Sequence, residues 1–323
     1  MINGRGFVVS RDSVKVKIKK REKYLFEDYD VEASYMNNLE KLSESFVDSV
    51  FSKSRYKVNY MTKTIEAGNQ FEVEIYPVFK SSRDLPDGIV TKKKETRQAQ
   101  KNLNDANSRK KLTRLVHANF GPGDYWITLT FSDEYLPKDF KEMEKIRKNF
   151  FGKINRLRKK KGLENARYIY VEEEGTYGTE RYHIHLVMDS DLSKEEVESK
   201  WTWGRTNIRT INYNGDESLR GLCNYMTKDP KTYKKMSFRT KGKRTWGRSK
   251  GNLKEPIERK NKTKFSRKKV LDMAKHRDSI EGILNKSYPG REFKEVEVRY
   301  NDYNGLFYIY AIMHDKRNTK ARR

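Results

Sequence analysis

Tyr182-His183-Ile184-His185-Leu186-Val187-Met188 is a run in which Ile184, Leu186 and Met188 alternate with His183, His185 and Val187. A period of two is the mark of a strand with one face against a core, so the two histidines fall together on the other face. The same alternation recurs upstream. In 125–131, Ile127, Leu129 and Phe131 oppose Trp126, Thr128 and Thr130; in 168–174, Ile169 and Val171 oppose Tyr168, Tyr170, Glu172 and Glu174. Helical spacing of Met143, Ile146, Phe150, Phe151, Ile154 and Leu157 predicts a helix over 139–160, and Ser193-Lys194-Glu195-Glu196 is a capping pattern that opens another over 193–201. A fourth strand over 206–211 and a third helix over 217–228 complete the order βαββαβ plus a helix. That order predicts an α+β fold with a ferredoxin-like (RRM-like) antiparallel sheet core, helices on one face and the other face free for a ligand.

If the apolar sets face the helices, His183, His185 and Glu174 share the open face, with Glu172 as the rival carboxylate and Glu173 disfavoured by parity. Arg205, Asn207 and Arg209 join them if Ile208 points inward. A face carrying histidines, carboxylates, tyrosines and arginines suits a strand of nucleic acid better than a core. Thr128, Thr130, Tyr168, Tyr170, Arg205 and Arg209 are its expected contacts.

Composition points the same way. The chain has 323 residues and a formal charge of +26, which favours polyanionic partners. No apolar run approaches the roughly 20 residues needed to span a bilayer, and there is no apolar signal core, so a protein of the cytoplasm is expected, with no membrane partner. One cysteine, Cys223, excludes an intramolecular disulfide and a cysteine-rich zinc module; it reads as a helix core residue.

The flanks divide into further modules. An accessory α+β unit is expected over 1–90, with Met36, Leu39, Leu42, Phe46 and Val50 on a helix and two strands joined around Gly68-Asn69. The nuclease-like domain spans 91–232 and begins with a basic helix near 92–118. A basic linker or DNA-tracking segment, including Lys241, Lys243 and Arg244, covers 233–265. A small α+β module over 266–323 ends in a hairpin around Asn304-Gly305.

Two imidazoles and a carboxylate suit Mg²⁺ or Mn²⁺ when phosphate and water complete the shell. The second chemical feature is Tyr225-Met226-Thr227-Lys228. Leu219, Leu222, Cys223 and Met226 form the apolar stripe of that helix, so Tyr225 is not needed for packing and shares a side with Lys228. A phenol titrates near 10, so attack on phosphorus requires loss of its proton, which a metal and the Lys228 ammonium would assist.

Thr128-Leu129-Thr130 on a first strand, Glu174 ahead of His183-Ile184-His185, and Tyr225-X-X-Lys228 on a later helix together resemble the ordered motifs of HUH endonucleases. The nearest likeness is to single-tyrosine replication-initiation (Rep) proteins of bacterial phages and plasmids, over roughly residues 95–230. The resemblance implies that His183, His185 and Glu174 hold a divalent cation against the scissile phosphate of single-stranded or hairpin origin DNA. Tyr225 would then attack, leaving a 5′-phosphotyrosine and a 3′-hydroxyl that primes rolling-circle synthesis. A later 3′-hydroxyl can reverse the exchange and close a circle without a nucleotide cofactor.

The departures from the pattern also carry expectations. Position 229 is Asp, and Tyr233 follows Pro230, so a paired-tyrosine exchange on one helix is not expected. A second protomer of a homodimer, or water, would complete the cycle. Arg248 stands where a phosphate-binding loop needs lysine, so a host helicase is implied alongside a host DNA polymerase. Three other readings stay open. A relaxase or transposase would use the same chemistry. A non-catalytic nucleic-acid binder would use Tyr168, Tyr170 and Arg209 as its platform. A non-haem iron oxygenase would use the two histidines and carboxylate, but gives Tyr225 no role.

Overall fold

The computed structural model describes residues 58–78, 98–174, 181–213, 219–227, 246–301 and 306–316. The expected helix over 36–50, together with Lys228, Lys241, Lys243 and Arg244, lies outside the described residues. Strands β1 (Asn59–Ala67) and β2 (Gln70–Val78) are followed by α1 (Gln98–Asn119), β3 (Tyr125–Thr130), α2 (Phe140–Lys160), β4 (Tyr168–Glu174) and β5 (Tyr182–Met188). Then come α3 (Lys194–Glu198), β6 (Thr206–Thr210), α4 (Arg220–Thr227), β7 (Trp246–Arg248) and β8 (Ile257–Asn261). The chain closes with α5 (Arg267–Lys275), α6 (Ser279–Ser287), β9 (Arg291–Asn301) and β10 (Leu306–Asp315). Among the described residues no helix is long and apolar enough to cross a membrane.

The protein is α+β, with two antiparallel five-stranded sheets. The central sheet has the order β6-β3-β5-β4-β7 and contains the βαββαβ succession read from the sequence. Helix α2 starts where Asp139 accepts a hydrogen bond from the Glu142 amide, and it ends in Arg158-Lys159-Lys160, cations that suit the negative end of the helix dipole. Its face of Met143, Phe150, Phe151 and Ile154 packs on Ile127, Leu129, Ile184, Leu186 and Met188. Full burial of each such side chain contributes about 1.5–3 kcal/mol before chain entropy is counted. Helix α3 carries the expected capping box, Ser193 and Glu196 exchanging bonds with each other's backbone.

The opposite face of this sheet is not bare. Leu112, Leu115 and Val116 of α1 and Leu219, Cys223 and Met226, on and just before α4, cover Ile169, Val171 and Val187. Cys223 is fully buried, and burial pushes its thiol up to about 12, so it is an inert core residue.

The second sheet, β8-β1-β2-β10-β9, corrects the expected division of the flanks. The N-terminal hairpin pairs through β2 with β10 of the C-terminal hairpin, so the two expected modules are one unit. They share a core of Tyr60, Val73, Ile75, Val270, Met273, Ile280, Leu284, Phe307 and Ile309. The expected linker is structural as well: β7 adds to β4 of the central sheet and β8 to β1 of the other. Helix α1 joins the two sheets, because Arg114 on its far side donates to Glu72 Oε2 at 2.7 Å and to Glu74 at 2.6 Å. Burial alone would raise the Glu72 carboxyl, but the Arg114 guanidinium brings it below the ordinary range. The first hairpin turns at Gly68, where φ is 59° and a Cβ would lie 2.0 Å from the His117 carbonyl oxygen, so only glycine fits.

Candidate active site

The site is built on β3, β5 and β4 and closed by α4. In the β4–β5 ladder Glu173 stands opposite His183 and Val171 opposite His185. Paired residues share a face, so Glu173 is the carboxylate on the histidine side. This reverses the parity argument. Glu172 lies on the α2 side, where its Oε1 accepts from Arg147 Nε at 2.6 Å, and Glu174 stands opposite Tyr182 rather than either histidine. The reversal has a simple cause: β4 is covered on both faces, so its aliphatic residues do not mark the α2 side. Ile169 and Val171 go under α1 and α4, and the two tyrosines go under α2.

Tyr168 and Tyr170 are therefore not on the face of the histidines. The Tyr168 ring stacks on Phe151 with centroids 3.5 Å apart and planes 2° from parallel. Arg147 lies 4.1 Å from the Tyr170 ring, and Gly247 of β7 leaves room for the Tyr170 hydroxyl, which would be 2.2 Å from any Cβ there. Burial raises both phenols, that of Tyr170 to about 12.

The remaining predicted residues do assemble. Thr128 stands opposite His185 and Thr130 opposite His183 on β5, while Asn207 and Arg209 of the edge strand β6 pair with Thr128 and Trp126. Ile208 packs inward against the α2 core, which sends Arg205, Asn207 and Arg209 to the histidine face. Arg205 and Arg209 are exposed, and Arg209 Nε donates to Asn207 Oδ1 at 3.3 Å. The Thr130 hydroxyl donates to the Arg205 carbonyl at 3.1 Å.

His185 is buried and held from several sides. Its Nδ1 is hydrogen-bonded to Thr128 Oγ1 at 3.1 Å, and its Nε2 lies 3.4 Å from Glu173 Oε2. A hydroxyl can donate or accept, so Thr128 can orient this ring in either tautomer. The Trp126 indole lies parallel to it. Tyr225 is 37% exposed on α4, with its ring centroid 5.4 Å from that of His185 and an interplanar angle of 80°. The His183 ring lies 6.5 Å from the His185 ring and nearly parallel. Burial, with His185 as neighbour, holds the His183 imidazole below its ordinary value against the pull of Glu173, which keeps a ring nitrogen free to bind a cation.

Among the described residues no three histidine, cysteine or carboxylate side chains stand close enough to hold a metal ion as they are. The donor types nonetheless fit a hard divalent cation. His185 and Glu173 already face each other, and a turn of the His183 ring would add the third donor.

Helix α4 owes its seat to His117, which the sequence reading passed over. Its Nδ1–H donates to the Thr113 carbonyl at 2.9 Å, and its Nε2 accepts from the Leu219 amide at 3.1 Å. Arg220 is ion-paired with Glu295 of β9, so the helix bearing Tyr225 is tied to both sheets. Glu173, Trp126 and His117 are the site residues missed in the sequence. Only Glu173 carried a signal, since Ile169 and Val171 share its parity with equal claim to either face.

Residues 124–230 match a family model for the replication-associated protein ORF2, a stretch that runs from β3 to just past α4. No curated protein and no solved structure matches the chain. The match supports a Rep-type protein with a role in replication initiation and is consistent with an endonuclease-type enzyme.

Proposed function

We propose that the protein nicks single-stranded or hairpin origin DNA by transesterification through Tyr225 and rejoins strands by the reverse reaction, as an HUH endonuclease of single-tyrosine type. The observation that carries this reading is the exposed Tyr225 ring 5.4 Å from His185, on the face where His183, Glu173 and Thr128 also meet. The Tyr225 oxygen forms a bond to phosphorus as the bond to the 3′ oxygen breaks. The phenol loses its proton and the 3′ oxygen gains one. One phosphodiester is exchanged for another, so no nucleotide cofactor is consumed.

A divalent cation, Mg²⁺ or Mn²⁺, held by His183, His185 and Glu173 would draw charge from the scissile phosphate. Thr128 orients His185, and Arg205 and Arg209 on the neighbouring strand offer phosphate contacts that hold the DNA across the sheet. Lys228, three residues beyond Tyr225, is the proposed cation for the phenolate. A host helicase and polymerase would extend the free 3′-hydroxyl, with a second protomer or water completing the cycle. A relaxase or transposase shares every step of this chemistry and differs in the DNA supplied. The reading as a non-catalytic binder loses its platform, since Tyr168 and Tyr170 are packed under α2.

The test is a denaturing gel of the full chain with Mn²⁺ and labelled single-stranded DNA from its own replicon. A labelled protein band that survives detergent and disappears with Tyr225→Phe or a chelator is the expected result. Retained DNA binding with no such band across all candidate origin strands would overturn it.

A further inference from the structure

Three rings meet at the site. Trp126 and His185 are parallel within 3° with centroids 5.4 Å apart, and the Tyr225 ring stands edge-on to both, 5.9 Å from Trp126 at 84° and 5.4 Å from His185 at 80°. These separations and angles fall in the range that aromatic pairs prefer. Trp126 reaches this position because β3 places it opposite Val187 of β5 and Arg209 of β6, with its inner part against the α1–α4 core. It therefore stands between the strand that carries the histidines and the helix that carries the tyrosine.

We propose that Trp126 is the positioning residue of the reaction: its flat face sets the plane of His185, and its contact with Tyr225 sets where the nucleophile stands relative to that histidine. This rests on the nicking reading above. Helix α4 is only eight residues long, and its buried residues, Cys223, Met226 and Thr227, lie away from Tyr225. Burial of those residues seats the helix but does not aim the exposed phenol ring. The two aromatic contacts do. Thr128 holds one nitrogen of His185 and Glu173 faces the other, so the indole supplies the third constraint, the rotation of the ring. A residue of similar volume without a flat ring would fill the space and leave both partners free to turn.

The experiment compares the full-length wild type with Trp126→Phe, Trp126→Leu and Trp126→Ala. Single-turnover formation of the covalent DNA adduct with Mn²⁺ is measured alongside single-strand affinity without metal. The expected result is near-normal nicking by Trp126→Phe, and nicking about tenfold to a hundredfold slower in Trp126→Leu and Trp126→Ala, the scale of a small misplacement of reacting groups. Affinity should be retained, since phosphate contacts carry it.

A second readout needs no metal and no activity. The chain has four tryptophans, so four indole N–H signals are available in a nitrogen-15 correlation spectrum. The signal missing from Trp126→Phe should move in both His185→Ala and Tyr225→Ala, while those of Trp201, Trp203 and Trp246 stay in place. Wild-type nicking by Trp126→Leu, or an indole signal unmoved in both ring variants, would overturn the proposal. Adduct formation by Tyr225→Phe would instead defeat the nicking reading while leaving the ring contact measurable.

Discussion

Glu173 Oε2 stands 3.4 Å from His185 Nε2, a contact made across two adjacent strands with the carboxylate on the histidine face. Its neighbour Glu172 is turned to α2 and bonded to Arg147. Glu173→Gln should therefore abolish metal-dependent nicking at unchanged thermal stability. Glu172→Gln should nick normally but lose about 1.5–3 kcal/mol of stability, the scale of a hydrogen bond between charged groups. Adduct gels and thermal melts of the two variants check the pair.

Thr128 is the hydrogen-bond partner of His185 Nδ1, so Thr128→Val keeps the shape of the side chain and removes the group that orients the imidazole. Loss of such a supporting bond typically costs about tenfold to a hundredfold in metal affinity or activity. The Mn²⁺ concentration for half-maximal nicking should rise accordingly, with single-strand affinity measured without metal unchanged.

Arg209 and Tyr168 should behave oppositely. Arg209→Ala should weaken DNA binding and reduce the slope of log affinity against log salt by about one unit, as expected for one lost phosphate contact. Tyr168→Ala should leave that slope alone and lower the melting temperature, because the ring is stacked on Phe151. Fluorescence anisotropy over a salt series separates the two.

His117 links stability to pH. Burial lowers its imidazole below the ordinary value, and the His183 imidazole is lowered for the same reason. A group depressed in the fold stabilises most above its unfolded value of about 6.5, and that contribution falls as pH drops below it, because the unfolded chain takes up protons first. Protonation of His117 Nε2 would also break the bond from the Leu219 amide that seats α4. Denaturation midpoints should thus decline as pH falls from about 6.5, with a limiting slope near 1.4 kcal/mol per pH unit for each proton. His117→Gln should be less stable at neutral pH and show a shallower decline.

Gly204 lets the β6 segment approach β3: a Cβ there would lie 2.2 Å from the Thr130 carbonyl oxygen and 2.7 Å from the Ser132 amide nitrogen. Both contacts are backbone, so neither can swing aside. Gly204→Ala should cost about 1–3 kcal/mol, the usual range for overpacking, and should weaken DNA binding by displacing Arg205 and Arg209. Thermal melts and anisotropy measured on one preparation test both effects.

Much of the central sheet was legible in the sequence. The alternation in 125–131 and 182–188 has one correct solution, because only one set on each strand is apolar enough for the α2 core, and those strands hold the register expected of them. Their open-side residues, Thr128, Thr130, His183 and His185, follow from the same period of two. The exposed side of α4 was legible too, since Leu219, Cys223 and Met226 leave Tyr225 outside the buried stripe. On β4 the rule breaks down. Its aliphatic residues and its tyrosines are both suited to burial, and both faces are covered, so hydrophobic pattern alone could not say which side Glu173 takes.

By itself, then, the sequence determined the class of fold, the order of elements, the strand faces that carry the histidines, and the residue types available for chemistry. These depend on periodicity within a few residues. Only the tertiary structure decided what depends on pairing between distant segments. It put Glu173 opposite His183, sent Tyr168 and Tyr170 under α2, brought Trp126 between His185 and Tyr225, and joined the two ends of the chain in one sheet. Residues far apart in the chain meet by satisfying backbone hydrogen bonds and filling shared core volume, and no local pattern records which partner will do so.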